Sequence, residues 1–421
     1  MNFKIRSDFE LRYRQRSYTY DDLSQAVSYW LDHIGKITDT NNIGVAYCQL
    51  SFSAMALILA LYKSGRNFTH LGIHSLRLNH DSKADHNISQ VYVVGATEED
   101  PNFYRIPFDY IRTDAWQHAW AISRWPGREE LDIPFSADQI ITCYTGGTTG
   151  RSKSICISAE LEAVSIELAQ QMFFEPDDYC VFQHSMGHAG VHTTALLPGM
   201  FTARVVSLAD VVTWNQEVSQ ATHVQYFYTM KDFFELPARL RMITTGGSMI
   251  KPVFLEYVQS RCQYDLFYDI YGLTECLPPL AVRNIQSAAD LELPFTWVNH
   301  AYQFETVVDK LRITRPDGVV VMPDDRGMRM ESQLHFYGRD QDSKLIRVRG
   351  HLISFQDFQL EFESQTGVVN YVLSTQNGSP SIQILSSQQA QCKDWLTANQ
   401  VEAEITYVDN LKTSGGIKTI V

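Results

Sequence analysis

What this chain lacks narrows it first. No run approaches the roughly 18 consecutive apolar residues of a membrane span. The opening stretch MNFKIRSDFELRYRQRS carries charges throughout and has no apolar signal-peptide core. The seven cysteines (Cys48, Cys143, Cys156, Cys180, Cys262, Cys276 and Cys392) are odd in number, and none falls at zinc-ligand spacing. Most lie in apolar runs, so they read as buried free thiols of a reducing compartment. Positive charge is also short: 35 Lys and Arg stand against 48 Asp and Glu, a net charge of −13. That balance excludes a general nucleic-acid or anionic-membrane binder, because both need clustered cations. There is no internal repeat and no low-complexity segment. A cytoplasmic protein with no nucleic-acid partner and no membrane span is expected. If its ligand is a polyanion, local positive groups must meet it.

What is present is ordinary for a soluble protein, with 44% hydrophobic and 20% charged residues. A chain of 421 residues allows two or more domains, with a large core in the first. Thr19 to Asp22 resembles a capping box, and helical periodicity follows it through Leu23, Ala26, Val27, Trp30, Leu31 and Ile34. Residues 43–47 read as a strand, and 53–62 as a helix apolar nearly all round that Gly65 ends. Residues 91–94 read as another strand, while 98–130 show little period.

From residue 139 onward, strand patterns at 140–144, 179–182, 203–208, 223–228, 240–244 and 266–270 alternate with helical ones at 158–173 and 253–261. Such alternation predicts parallel βαβ units in a layered α/β domain, with ligands at the carboxyl ends of the strands. After about residue 306 the texture changes to short strands at 311–314, 318–321, 333–337 and 345–349. Residues 340–344 form a polar, charged linker. The tail reads helix (355–365), strands (369–374 and 381–385), helix (389–399) and strand (404–407), a small α+β domain. The division expected is therefore a large domain over 1–338 and a small one over 339–421, with a hinge at 339–344.

The stretch TGGTTGRSK, Thr145 to Lys153, stands out. A strand, a loop of glycines and hydroxyls ending in a lysine, and a helical segment are parts that can wrap phosphates. Glycine permits close approach, hydroxyls donate hydrogen bonds and lysine adds a point charge. It is not a Walker loop, since Arg151 and Ser152 separate Gly150 from Lys153. On composition alone it fits a plain surface loop as well as a phosphate cradle.

Its neighbours in sequence order bear on the choice. FQHSMG with His184 follows, then TTGGSM, then YGLTE (Tyr271 to Glu275), then PDDRG, then YGRDQDSKLIRVRG, and last LKTSGGIKT. Together with YTYDDL near the start, this ordered set resembles the adenylate-forming superfamily of acyl-CoA synthetases, aryl-acid ligases, nonribosomal adenylation domains and luciferases. The resemblance runs nearly the whole length. It implies a large layered α/β domain with mainly parallel sheets, and a small, mobile α+β lid that rotates between two half-reactions. It also implies an ATP-dependent, AMP-forming ligase that turns a small carboxylic acid into an acyl-adenylate. The acyl group then passes to the thiol of CoA or of the phosphopantetheine on a separate carrier protein. A binding protein that has lost catalysis and an amide-forming ligase are the alternatives.

The resemblance also implies roles for residues. Thr145, Gly146, Gly147, Thr148, Thr149, Gly150 and Lys153 would hold the pyrophosphate portion of ATP, although Ser152 and Ser154 replace a usual proline and glycine. Gly246, Gly247 and Ser248 would border adenine, on which Tyr271 would stack. Thr274 would bind the α-phosphate and Glu275 would hold Mg²⁺, a cation suited to one carboxylate plus phosphates. Asp325, with Asp324 as competitor, and Arg339 would reach the ribose. His184 and Gly272 would line the acid pocket. His184, His188 and His192 also lie close in sequence, so a three-histidine metal site is the alternative there, disfavoured because no carboxylate accompanies it. Residues 184–190 contain no acidic side chain to meet an α-amino group, so an uncharged aryl or aliphatic acid is expected. The catalytic lysine of the family falls on Ile417 by ungapped counting, and a one-residue insertion moves it to Lys418; Lys412 is a poorer candidate.

Overall fold

The helix Tyr20–Gly35 starts where the sequence says it should. The Thr19 side chain accepts from the Asp22 amide while the Asp22 carboxylate accepts from the Thr19 amide, closing the capping box. The next helix, Phe52–Ser64, is capped by Ser51 and ended by Gly65 in the left-handed conformation at φ 67°. Its residues from Ala54 to Tyr62 are all buried, as an all-round apolar helix requires. These elements belong to a computed structural model that describes residues 1–36, 42–47, 51–72, 88–94, 110–113, 124–145, 153–182, 189–209, 212–227, 230, 234–247, 250–323, 325–339, 345–348, 351–368, 371–376 and 379–408.

The largest sheet has a parallel heart. Strands Glu10–Tyr13, Val205–Leu208, Tyr179–Phe182, His223–Gln225, Arg239–Gly246 and Gln263–Tyr271 lie side by side in that order, every neighbouring pair parallel. Beyond Gln263–Tyr271 the sheet turns antiparallel through Ala281–Asn284, Phe295–Trp297, Gln333–Arg339 and Asp325–Met330. A second sheet runs Lys153–Ser158, Ile140–Thr145, Phe68–Gly72, Asn42–Tyr47, Ile88–Val94, Tyr110–Thr113, parallel except for its first pair. A layered α/β fold is thus what the chain forms, with parallel strands at the heart of both sheets and, in the larger one, antiparallel strands outnumbering them at the flanks.

Alternation along each strand decides what the two faces meet. Cys180 and Phe182 join the core that contains Leu57, Ile166 and Ile141, uniting both sheets and the helices Phe52–Ser64 and Ala159–Phe173. Tyr179 and Val181, one residue out of phase, join the opposite core with Trp214, Phe254 and Val258. The first pair of the second sheet departs from expectation. Lys153–Ser158 is a strand, antiparallel to Ile140–Thr145 with Lys153 facing Thr145 in the register, so the loop closes a hairpin rather than opening a helix. Ile155 and Ile157 on alternate positions favour the strand, and the helix waits until Ala159, capped by Ser158.

After residue 344 the chain builds a core of its own around Phe358, Phe362 and Leu373. Its strands Leu345–Val348, His351–Ser354, Tyr371–Gln376, Ser379–Leu385 and Glu404–Val408 pair only with one another among the described residues. Arg339 is the last residue of Gln333–Arg339 and therefore belongs to the large sheet. Among the described residues no helix is long and apolar enough to cross a membrane.

One buried carboxyl sets a pH dependence. Glu162 lies in the main core and accepts from the Tyr62 hydroxyl at 2.6 Å. Burial pushes its acid form up to about 7, against the pull of that hydrogen bond. A pKa raised on folding supplies stability that is complete below the unfolded value near 4.5 and is lost as pH rises through about 7. Glu162→Gln keeps an acceptor for Tyr62 and removes the titration. Urea unfolding should show the variant and the parent close at pH 4 and the variant ahead by about 3 kcal/mol at pH 8.

Candidate active site

The carboxyl ends of the parallel strands bring the sequence motifs together. Arg239–Gly246 and Gln263–Tyr271 end side by side, with Gly246 paired to Ile270 in the ladder. A Cβ on Gly246 would stand 2.6 Å from the Ile270 carbonyl oxygen, so only glycine lets these two strand ends close up. Gly247 follows with φ 76°. Behind them, the His223 imidazole touches the Thr244 hydroxyl through Nε2 at 3.2 Å. Burial brings that imidazole down to about 3, so it stays neutral and acts as a support.

The turn after Tyr271 is held from several sides. Gly272 packs on Pro278, where an added Cβ would come within 2.3 Å of the proline Cβ. The Leu280 amide returns to the Tyr271 carbonyl at 3.0 Å, the Ser165 hydroxyl donates to the Leu277 carbonyl at 3.0 Å, and Arg315 Nη1 donates to the Glu275 carbonyl at 3.2 Å. Arg315 is itself buried and paired with Asp317. Leu277 adopts φ 51°, a left-handed conformation that a non-glycine residue keeps only when its surroundings fix it. Within this frame Thr274 and Glu275 form a short 3₁₀ turn, both half-buried. Both strands of the Ile140–Thr145 and Lys153–Ser158 hairpin lie against that turn.

Tyr271 is buried, and its hydroxyl donates to Asp325 Oδ2 at 2.8 Å. Phe295 and Phe336 flank its ring at 6.1 and 5.3 Å. Asp325 is buried and opposes Arg339 in the antiparallel register. Asp325, Arg339, Tyr271, Gly272, Thr274, Glu275, Gly246 and Gly247 therefore gather around one sheet end, and the strands that carry Thr145 and Lys153 touch the turn there. Gly146, Gly147, Thr148, Thr149, Gly150, His184, His188, Ser248, Asp324, Lys412 and Lys418 lie outside the described residues. His192 is described and buried, with its ring centroid 4.2 Å from that of His70.

Sequence reasoning missed Arg315 and Ser165, which hold the turn from behind. Neither carries a motif; only their distant partners, 40 and 112 residues apart in the chain, make them matter. Asp178, Cys180 and His223 come within metal-ligand spacing of one another. The Asp178 carboxylate is taken up by Arg241 through both oxygens and by the Thr222 hydroxyl, so an ion there would have to displace a guanidinium.

Comparison with known proteins meets this geometry. Residues 49–296 match the family model described as AMP-binding enzyme. No curated protein matches the chain in sequence. Among solved structures, ATP-bound MatB from Rhodopseudomonas palustris is 15% identical, with 97% of this chain and 93% of that one covered at a TM-score of 0.70. O-succinylbenzoate coenzyme A synthetase (MenE) from Bacillus subtilis, in complex with AMP, is 15% identical over 98% and 94% of the two chains, at 0.71. The anthranilate CoA ligase AuaEII in complex with anthranoyl-AMP is 13% identical over 97% and 92%, at 0.70. The fold is shared over both of this chain's cores.

Gly272→Ala tests the clamp. The extra methyl should cost about 1–3 kcal/mol and displace the turn. Gly35→Ala, where an added Cβ meets nothing within 4 Å, should leave stability nearly unchanged. Thermal unfolding of both variants checks the contrast.

Proposed function

The chain belongs to the AMP-binding enzyme family, and from that premise we propose that it activates a small carboxylic acid with ATP and passes the acyl group to a thiol. The observation that carries this reading is the contact of the strands Ile140–Thr145 and Lys153–Ser158 with the Thr274–Cys276 turn, beside the Tyr271–Asp325 bond. The ligands named for the structural relatives, ATP for MatB, AMP for MenE and anthranoyl-AMP for AuaEII, agree with it.

In the first step a carboxylate oxygen of the acid attacks the α-phosphorus of ATP. The bond from that phosphorus to the bridging oxygen breaks, and pyrophosphate leaves with the electron pair. The protein's work is alignment and charge neutralisation. The hairpin loop, Thr145 to Gly150 with Lys153, holds the departing pyrophosphate by backbone amides, hydroxyls and one ammonium. Gly246, Gly247 and Ser248 border the adenine, Tyr271 offers it a ring face, and Asp325 and Arg339 bind the ribose. Thr274 donates to the α-phosphate. Glu275 offers one hard carboxylate, the donor that Mg²⁺ takes alongside phosphate oxygens, and the ion would neutralise phosphate charge there. Lys418 approaches the reacting carboxylate and α-phosphate from the small domain. His184 and Gly272 line the acid pocket. In the second step the thiol sulfur attacks the acyl carbon and AMP leaves; CoA and a carrier-protein phosphopantetheine are the acceptors of that chemistry. We place the boundary between the two domains within 340–344.

A second reading, a nucleotide or acyl binder without turnover, is favoured by the tail, where LKTSGGIKT sets its lysine one place late. One measurement separates the two. Acid-dependent exchange of labelled pyrophosphate into ATP, over a panel of aryl and aliphatic acids, should be positive. Lys153→Ala and Lys418→Ala should each lower it by about 10²–10³. Tight ATP binding by calorimetry with no exchange for any acid would replace ligation by the binding role. A Lys418→Ala variant as active as the parent would remove that lysine from the mechanism.

A further inference from the structure

Among the described residues, one charge pair joins the two separate cores. Lys251 stands at the N-cap of the helix Pro252–Gln259, four residues past Gly247. Its Nζ lies 2.5 Å from Oε2 of Glu363, which belongs to the helix Phe355–Thr366 of the small domain. The other carboxylate oxygen, Oε1, accepts from the Tyr371 hydroxyl at 2.6 Å. The Glu363 side chain is 1% exposed and that of Lys251 14%. Among the described residues no sheet ladder and no core cluster crosses from before residue 340 to after 344, yet this ion pair does. The lysine also supplies a cation near the carboxyl end of the Phe355–Thr366 helix, whose last turn has none of its own.

A buried pair of this kind is unforgiving in one specific way. Removing one partner takes from the other, desolvated charge its counterion in the pair, whereas neutralising both costs far less. Separating the domains has a different effect, since it returns both charges to water. The pair therefore discriminates between a seated and an unseated small domain. We propose that Lys251 and Glu363 are an interdomain latch that seats the small domain on the large one, and that Lys251, three residues past the 246–248 segment in the chain, links that seating to nucleotide occupancy. Lys251 is a positioning residue in this scheme, touching neither nucleotide nor acid. The linkage half rests on the function proposed above; the latch half does not. By thermodynamic reciprocity, whatever factor nucleotide contributes to seating, seating returns to nucleotide affinity.

The test uses the full chain and three variants: Lys251→Met, Glu363→Gln and the double. The side-chain carbonyl introduced by Glu363→Gln would still accept from Tyr371, so the small domain's own bond is preserved. Two quantities are read: the rate of tryptic cleavage after Lys344, and the radius of gyration from small-angle scattering. Thermal unfolding is followed alongside, so that a variant whose small domain melts is recognised as such. Each single variant should be cleaved at least about tenfold faster and be measurably larger, because cleavage tracks the open population. The double variant should recover toward the parent, giving a non-additive cycle. Single variants that match the parent in both quantities, or a double variant that is simply additive, would overturn the latch. AMP or ATP should alter the parent's cleavage rate severalfold and leave Lys251→Met unchanged; an equal change in both would overturn the linkage. A parent chain that binds neither nucleotide would sink the proposed function instead, and the comparison without nucleotide still decides the latch.

Discussion

The turn that follows the strand Gln263–Tyr271 is the constraint on which the site depends. It is fixed by packing and by backbone acceptors rather than by any regular ladder. Gly272 lies against Pro278, the carbonyls of Glu275 and Leu277 are bonded by Arg315 and Ser165, and the Leu280 amide closes back on Tyr271. A backbone acceptor buried without such a partner would cost about 1–3 kcal/mol. These bonds therefore do two things at once: they satisfy the loop, and they leave Thr274 and Glu275 little freedom to wander. Preorganisation of this sort is what a reaction needs when the protein contributes alignment and not covalent chemistry.

The scaffold behind the turn is polar where it is least expected to be. Asp178, just before Tyr179–Phe182, is bound by Arg241 and Thr222, and Asp269, two residues before Tyr271, is bound by Arg283 at 2.8 Å. Burial penalises each of these charges, and each is answered by a guanidinium of the same sheet, Arg283 from the adjacent strand and Arg241 from the strand two places away. Arg241 and Asp178 tie the start of one parallel strand to another. Arg283 and Asp269 tie the last parallel strand to the first antiparallel one. Arg283 also lies over the Phe295 ring at 4.4 Å, which joins it to the aromatic group around Tyr271. Strand registry and the placement of Tyr271 are thus secured by the same side chains.

Much of the fold was legible because its signals are local. The Thr19–Asp22 capping box, the Gly65 stop and the strand Tyr179–Phe182 follow from residue type and spacing alone. The two-helix, three-strand tail was legible for the same reason. The hairpin at Lys153–Ser158 was not. Residues KSICIS alternate too briefly to outvote the helical pattern behind them, and the pairing that makes them a strand lies across the loop. The strands Glu10–Tyr13 and Ala281–Asn284 were missed because each is only four residues long and half polar, too short to show a period. At the site, Tyr271 and Asp325 were marked by their motifs, yet nothing in the motifs says that one hydroxyl joins them. Gly272 was placed by family likeness, whereas its physical necessity appears only against Pro278.

Charge accounting ties these points to the proposed chemistry. A chain of net charge −13 repels a triphosphate at long range, so affinity must come from cations within contact distance. Three arginines of the packed scaffold are already committed: Arg241 to Asp178, Arg283 to Asp269 and Arg315 to Asp317. Those pairs hold the scaffold and cannot turn to a ligand without leaving a buried carboxylate behind. On the proposed function the positive charge for a departing pyrophosphate falls to other cations, and the sequence offers Arg151 and Lys153 by the hairpin and Lys418 in the tail. A division follows between cations that build the frame and cations that serve the ligand. Under that division the net negative charge is no obstacle: a polyanion needs only the few cations that the frame does not use.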